Sequence, residues 1–184
     1  DPAKCDITIK HIKKILTGDR PIMGICLGNQ LMARAAGAVT YKLKYGHRSH
    51  NQPVMQPGSN RCYITSQNHG FAIDDKTLPE NWEPLFVNMN DGTNEGIRHK
   101  TMPWFSAQFH PEACGGPHDT DFLFDEFIEV PSNDEHGQRV WQGLKQKVSA
   151  KALRNFYYSF LSEQDVAFQH CFNFAVYVFQ SQRP

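Results

Sequence analysis

Five residues near the start of the chain carry a chemical signal of their own: Gly24-Ile25-Cys26-Leu27-Gly28 spaces a thiol by one residue from a glycine on either side. On a tight strand-to-helix turn such a thiol can serve as a nucleophile, because flanking residues without a Cβ let strand and helix pack close. The start of the following helix favours an anion at Cys26 through its positive dipole end, and the Leu27 N–H is placed to donate to an oxyanion. Taken alone, the pentapeptide is met more simply by a buried structural cysteine with coincidental glycines. His110, followed at plus two by Glu112, changes that balance. A thiol needs a base, imidazole supplies one, and a carboxylate on the other ring nitrogen fixes tautomer and orientation. The chemistry implied is covalent catalysis by a Cys, His, Glu set.

Positioning these groups requires elements on both sides of each. Pro21 to Ile25 is a short apolar run suited to a buried strand, and Leu27 to Ala36 continues with helix formers up to Gly37. Residues 103 to 109 (PWFSAQF) predict a second strand, so that His110 emerges at its C-terminal edge, where open α/β sheets keep their sites. Upstream, Asp6 to Leu16 has apolar residues at helical spacing with Lys10, Lys13 and Lys14 opposite, a surface helix stopped by Gly18. Arg61 to Ser66 and Pro84 to Asn88 predict further strands, and Asp119 to Ile128 a helix with Asp119 as its cap. Asn68-His69-Gly70, taken alone, reads as an ordinary turn after the strand at 61 to 66. The fold expected is α/β, an open and mostly parallel sheet flanked by helices.

After about Val130 the character changes. Residues 131 to 137 form a polar, turn-rich linker, Arg139 to Leu153 is basic, and the remainder is dense in aromatics without a helical or strand period. The expected division is therefore 1–130 as one domain and 131–184 as an unassigned linker and tail, whose end at Cys171 to Gln180 is open to strand, helix or exposed tail.

Composition excludes several function classes. The chain has 184 residues with 19 Lys+Arg against 19 Asp+Glu, a balance without the basic excess of a nucleic-acid binder. It has no apolar run of membrane-spanning length and no leader pattern after Asp1, so neither membrane insertion nor secretion is expected, and a cytoplasmic location is. The five cysteines are odd in number, with no Cys-x-x-Cys pair, and signal neither a disulfide framework nor a zinc knuckle. Cys5, Cys62, Cys114 and Cys171 read as incidental thiols, and His47, His50, His69 and His118 offer no defensible metal-ligand spacing. No cofactor and no metal are expected. The chain opens on Asp rather than Met, the mark of a fragment or processed piece.

Three segments together give a resemblance. Gly24-Ile25-Cys26-Leu27-Gly28-Asn29-Gln30, Ser66-Gln67-Asn68-His69-Gly70-Phe71 and Gln108-Phe109-His110-Pro111-Glu112 resemble the class I (triad) glutamine amidotransferases. Within that family they look most like the glutaminase of glutamine-dependent carbamoyl-phosphate synthetase, with the animal multifunctional pyrimidine-synthesis type the nearest likeness. Tyr45-Gly46-His47-Arg48, Asn51-Gln52-Pro53, Asn94-Glu95-Gly96-Ile97 and Gly116-Pro117-His118-Asp119 agree with it, and argue against the amidotransferases of guanylate or anthranilate synthesis. The resemblance runs from the first residues to about Val130. It implies that Cys26 attacks the side-chain amide of glutamine to form a thioester, with His110 as base then acid and Glu112 orienting it. Leu27, Gln30, Asn68, Gly70 and Phe71 stand at the positions that hold the substrate. The ammonia released would serve carbamoyl phosphate synthesis in pyrimidine or arginine formation, on a synthetase partner that binds ATP and bicarbonate. The ammonia-using urea-cycle relative lacks the nucleophilic thiol that Cys26 supplies here.

Departures from the family pattern accompany the matches. Asn29 stands where the family often has His, and Ser49 where Gly is common. Of the family's Gly-Pro-Gly-Asp-Pro loop, which gives a second oxyanion donor, only Asp1-Pro2 matches, so the fold is expected to be incomplete at its N-terminus. Loss of one such donor typically costs about a hundred- to a thousandfold in rate. The alternatives to a working glutaminase are an inactive remnant that only binds a partner, and another triad amidotransferase.

Overall fold

A computed structural model describes residues 1–113 and 118–129. The expected linker, the basic stretch, the aromatic tail and Cys114 lie outside the described residues. A 3-10 turn at Pro2–Lys4 leads into helix α1 (Asp6–Ile15), followed by strand β1 (Ile22–Ile25), helix α2 (Leu27–Ala36), and the long strands β2 (Thr40–Met55) and β3 (Cys62–Ile73). Strands β4 (Trp82–Asn88), β5 (Asn94–His99) and β6 (Trp104–Ala107) precede helix α3 (Phe122–Glu129).

The six strands form one sheet in the order β1-β6-β5-β4-β2-β3. The α/β reading holds, but within the described residues the sheet is mixed rather than mostly parallel: only β1 and β6 pair in parallel, and the other neighbours are antiparallel. The reason is connectivity. β2–β3, β4–β5 and β5–β6 are joined by short connections that return the chain antiparallel, the chain between β3 and β4 crosses to set β4 on the other side of β2, and β1 and β6 are far apart in sequence and meet in parallel.

Alternation along β1 and β6 divides their side chains between two layers. Met23, Ile25, Phe105 and Ala107 join Leu123, Phe124 and Phe127 of α3 in one buried cluster. Ile22 and Trp104 face the other way, into a cluster with Met32 and Ala33 of α2. α1 seals the outside of α2 through Ile12, packed with Leu31 and Ala35. Gly37 ends α2 with φ +112°, a left-handed cap that donates back to the Ala33 and Arg34 carbonyls, as its type predicts. Asp119 does not cap α3. Its carboxylate accepts from the Ile64 N–H at 3.1 Å, because the helix starts only at Phe122.

Candidate active site

The parallel pairing of β1 with β6 sets the site. In register, Ile25 lies opposite Ala107, and the Cys26 N–H donates to the Ala107 carbonyl at 2.8 Å. Both strands therefore run out at the same sheet edge, one into Cys26 and the other, three residues on, into His110. Cys26 is the N-cap of α2 and, among the described residues, the one non-glycine with a positive φ, at φ +53°, ψ −105°. A side chain held there stores about 1–3 kcal/mol of backbone strain, which the surrounding packing must outweigh. Gly24 shows why the turn is so tight. A Cβ at that position would lie 2.9 Å from the Gly28 carbonyl carbon and oxygen, so the α2 backbone itself fills the space a side chain would need.

His110 Nδ1 donates to Glu112 Oε1 at 2.7 Å, and the imidazole also hydrogen-bonds Cys26. With Nδ1 committed to Glu112, the nitrogen left for the thiol is Nε2. Burial works against a charge on this ring, but the charges of Cys26 and Glu112, and the hydrogen bonds to both, outweigh it and hold its pKa well above the ordinary imidazole value. Glu112 is itself buried, at 3% exposure, so its proximity to His110 is undiluted by water. The three residues picked from the sequence as nucleophile, base and orienting carboxylate therefore meet.

The other expected residues gather on the same spot. The Asn68 carbonyl lies 4.0 Å from Cys26 Sγ. Gln30 Nε2 donates to the Phe71 carbonyl at 3.0 Å, tying α2 to the far end of the same segment, and Gly70 sits between the two contacts. The His110 N–H donates to the Ser66 carbonyl at 2.9 Å. Leu27 opens α2 next to the thiol. The Asn68-His69-Gly70 segment is not a turn, however, but the middle of β3, paired with β2 across an irregular register. This brings β3, last in the sheet order, to the Cys26 turn that follows β1, the first, so the sheet curls and residues from its two ends meet at Cys26.

Sequence reasoning missed a polar layer beneath the thiol. Gln108 is wholly buried. Its Oε1 accepts from Asn29 Nδ2 and from Gln30 Nε2, each at 3.0 Å, and its Nε2 lies 3.8 Å from Cys26 Sγ. Ser106 Oγ donates to Asn29 Oδ1 at 2.8 Å. The available signal was the period of two in 103 to 109, which puts Ser106 and Gln108 on one face between apolar residues.

Among the described residues no helix is long and apolar enough to cross a membrane. The "Glutamine amidotransferase class-I" family profile matches residues 1–130. The chain is 58% identical over 131 residues to a carbamoyl phosphate synthase arginine-specific small chain of Candida albicans, covering 70% of this chain and 30% of that protein. It is 56% identical over 154 residues to the small chain of the same name from Neosartorya fischeri, covering 83% of this chain and 34% of that one. A 57% identity over 131 residues links it to the multifunctional protein pyr-3 of Neurospora crassa, covering 71% of this chain and 7% of the other. The chain thus spans about a third of the length of the small chains it matches. Among solved structures, a glutamine amidotransferase from Thermotoga maritima shares the fold at TM-score 0.51 and 23% identity, covering 82% of this chain and 60% of that one. With its strained elbow cysteine, its His110–Glu112 pair and this match, the chain belongs to the class I glutamine amidotransferase family.

Proposed function

We propose that the chain is a glutaminase: it hydrolyses the side-chain amide of glutamine and supplies the ammonia for carbamoyl phosphate synthesis. The observation that carries this reading is the parallel β1–β6 pair, which sets Cys26 on its strained turn against an imidazole already engaged by Glu112. A raised His110 pKa suits a ring that receives the thiol proton and leaves a thiolate beside it. The thiolate attacks the amide carbon of glutamine. The tetrahedral oxyanion takes the N–H of Leu27 at the start of α2, the position most favoured by the helix dipole. His110 returns the proton to the departing nitrogen, ammonia leaves, and a γ-glutamyl thioester remains. Water then attacks the thioester with His110 as base, freeing glutamate and restoring the thiol. Gln30, Asn68, Gly70 and Phe71 hold the substrate's amino-acid end, because a charged α-carbon needs hydrogen-bonding groups at fixed distances rather than an apolar pocket.

No bound cofactor enters these steps. Ammonia passes to a synthetase domain or subunit, where ATP and bicarbonate are used, in pyrimidine or arginine synthesis in the cytoplasm. The similarity to small chains and to a multifunctional protein at nearly equal identity supports either arrangement of that partner.

Intact-mass labelling with a glutamine-mimicking electrophile, followed by an assay of glutamate release, tests the proposal. One adduct on the wild-type chain, absent in Cys26→Ser, together with glutamate release that is lost in the same variant, is the expected result. Folded protein that takes no adduct and releases no glutamate would leave a non-catalytic binding piece as the better account.

A further inference from the structure

A second buried group of ionisable side chains lies behind the site and touches neither the thiol nor the imidazole of the proposed mechanism. Glu95, on β5, is 0% exposed. Its Oε1 accepts from Asn88 Nδ2 at 2.9 Å and from His47 Nδ1 at 3.1 Å. Its Oε2 has no hydrogen-bond partner among the described residues and lies 4.0 Å from His69 Nε2. A carboxylate so far from water needs a cation beside it. His47 has an acceptor at both ring nitrogens, since its Nε2 meets Asp91 Oδ2 at 2.8 Å. Only a doubly protonated ring satisfies both. The hydrogen bond to Glu95, opposed by burial and supported by Asp91, raises the His47 pKa to about 9.

The connections of this pair run to both halves of the site. Gln67 Oε1 stands 3.0 Å from His47 Nδ1, so the residue before Asn68 is anchored to the pair by its side chain, and His69, the residue after it, packs its ring edge-on against that of His47 at 4.8 Å. His69 Nδ1 reaches the Phe71 carbonyl at 2.9 Å, the same oxygen that Gln30 engages. On the other side the Glu95 carbonyl accepts from the Gln108 N–H at 2.7 Å, and the Gln108 side chain lies against Cys26. The pair is therefore one residue removed from Asn68, from Phe71 and from the thiol.

We propose that His47 and Glu95 are positioning residues, a buried ion pair that fixes the 67–71 stretch of β3 at the distance from Cys26 that glutamine binding requires. This rests on the glutaminase reading and adds to it the source of substrate affinity. The ion pair spans β2 and β5, which are not neighbours in the sheet order, so its loss frees the substrate segment without touching the thiol, the imidazole or Glu112.

The test compares wild type, His47→Gln, Glu95→Gln and the double exchange in glutamine hydrolysis by the whole chain. Rates are referred to competent sites, counted by electrophile labelling of Cys26. His47→Gln leaves the buried Glu95 charge unmatched, and Glu95→Gln leaves His47 with Asp91 as its one remaining carboxylate partner; each is expected to raise KM for glutamine about tenfold, with kcat within about threefold of wild type, the pattern of lost binding rather than lost transition-state contact. In the double exchange neither charge remains, so its KM is expected to rise by only about threefold, far short of the product of the two singles, as coupled neighbours behave. The double exchange also decides the matter should a single variant fail to fold. A KM per competent site that is unchanged in the double exchange, or a fall confined to kcat, overturns the inference while leaving the glutaminase reading intact. A wild-type chain that hydrolyses no glutamine overturns both, and is told apart because the unmodified protein itself is silent.

Discussion

At Cys26 the backbone adopts φ +53° with a side chain attached, and Gly24 is what lets α2 pack back against the strand at that turn. Gly24 is demanding because the place of its missing Cβ is taken by α2 backbone at 2.9 Å rather than by a side chain that can swing away. Gly24→Ala is therefore expected to push α2 off the sheet edge, at a cost of about 1–3 kcal/mol, as overpacking of a filled site does. The thermal midpoint should fall, and labelling of Cys26 should slow in protein that remains folded; an unshifted midpoint would mean the turn has slack that its geometry denies. Glu112 acts at one remove, through the ring it orients at 2.7 Å. Glu112→Gln keeps the shape but removes a charge that holds His110 protonated, so the alkaline limit of the imidazolium moves to lower pH. Glutamine turnover should drop by about 10²–10⁴-fold, the range found when a triad carboxylate is neutralised. The pH profile of kcat/KM checks the direction: a limb that stays where it is in wild type would place the cause elsewhere.

Elements whose residues repeat at their own period were legible, and those held by buried polar partners from distant parts of the chain were not. α2 shows formers from Leu27 to Ala36 and a glycine stop, and its observed bounds are the expected ones. β1 and β6 follow apolar runs because every residue in them is buried, on both faces of the sheet; β4 follows one in its more buried second half. β2 and β5 escaped notice. β5 reads Asn-Glu-Gly-Ile-Arg-His, a composition poor in strand formers, yet it is central because Glu95 finds buried partners there that no local pattern announces. The same explanation covers Gln108, a buried amide that makes sense only once Asn29, Gln30 and Cys26 are seen around it. The triad was visible because its spacing is chemical rather than periodic, whereas the substrate segment read as a turn and was visible only through the family resemblance. The 131–184 stretch and its separation from residues 1–130 remain an expectation. α3 illustrates how an element far from the chemistry still supports it: Phe127 is fully buried and meets Phe105 of β6 edge-on at 6.1 Å. Phe127→Ala is expected to cost about 3–5 kcal/mol. Because β6 leads into His110, competent sites should become fewer while KM per site stays the same, a split that labelling combined with steady-state kinetics resolves.

For the molecule as a whole, the curl of the sheet is what assembles a site from its two ends, and the ladder that carries the curl is thin at one place. β2 meets β4 over only two register pairs, Val54 with Asn88 and Met55 with Val87. Past that seam, the half bearing β2 and β3 is fastened to the half bearing β5 by buried side chains, among which His47 and Glu95 form the ionised link. The link has a pH signature. The folded-state pKa of His47 lies near 9 against an ordinary value of 6.5, so the folded chain holds a proton there that the unfolded chain releases first. The stabilisation is complete below pH 6.5 and is lost as pH rises through about 9. Glu95 and Asp91 face the ring from β5 and the preceding turn, and His69 faces it from β3, its own charge disfavoured by burial despite Glu95. His110 biases the chain in the same direction, so the wild-type curve alone does not isolate the link. The difference between wild type and His47→Gln does: their thermal midpoints should be furthest apart near pH 6.5 and converge towards pH 9.5, with wild type the more stable at the lower end. Midpoints that stay equally separated across the range would mean that the pair holds the two halves by shape alone, and that its charge does nothing for the fold.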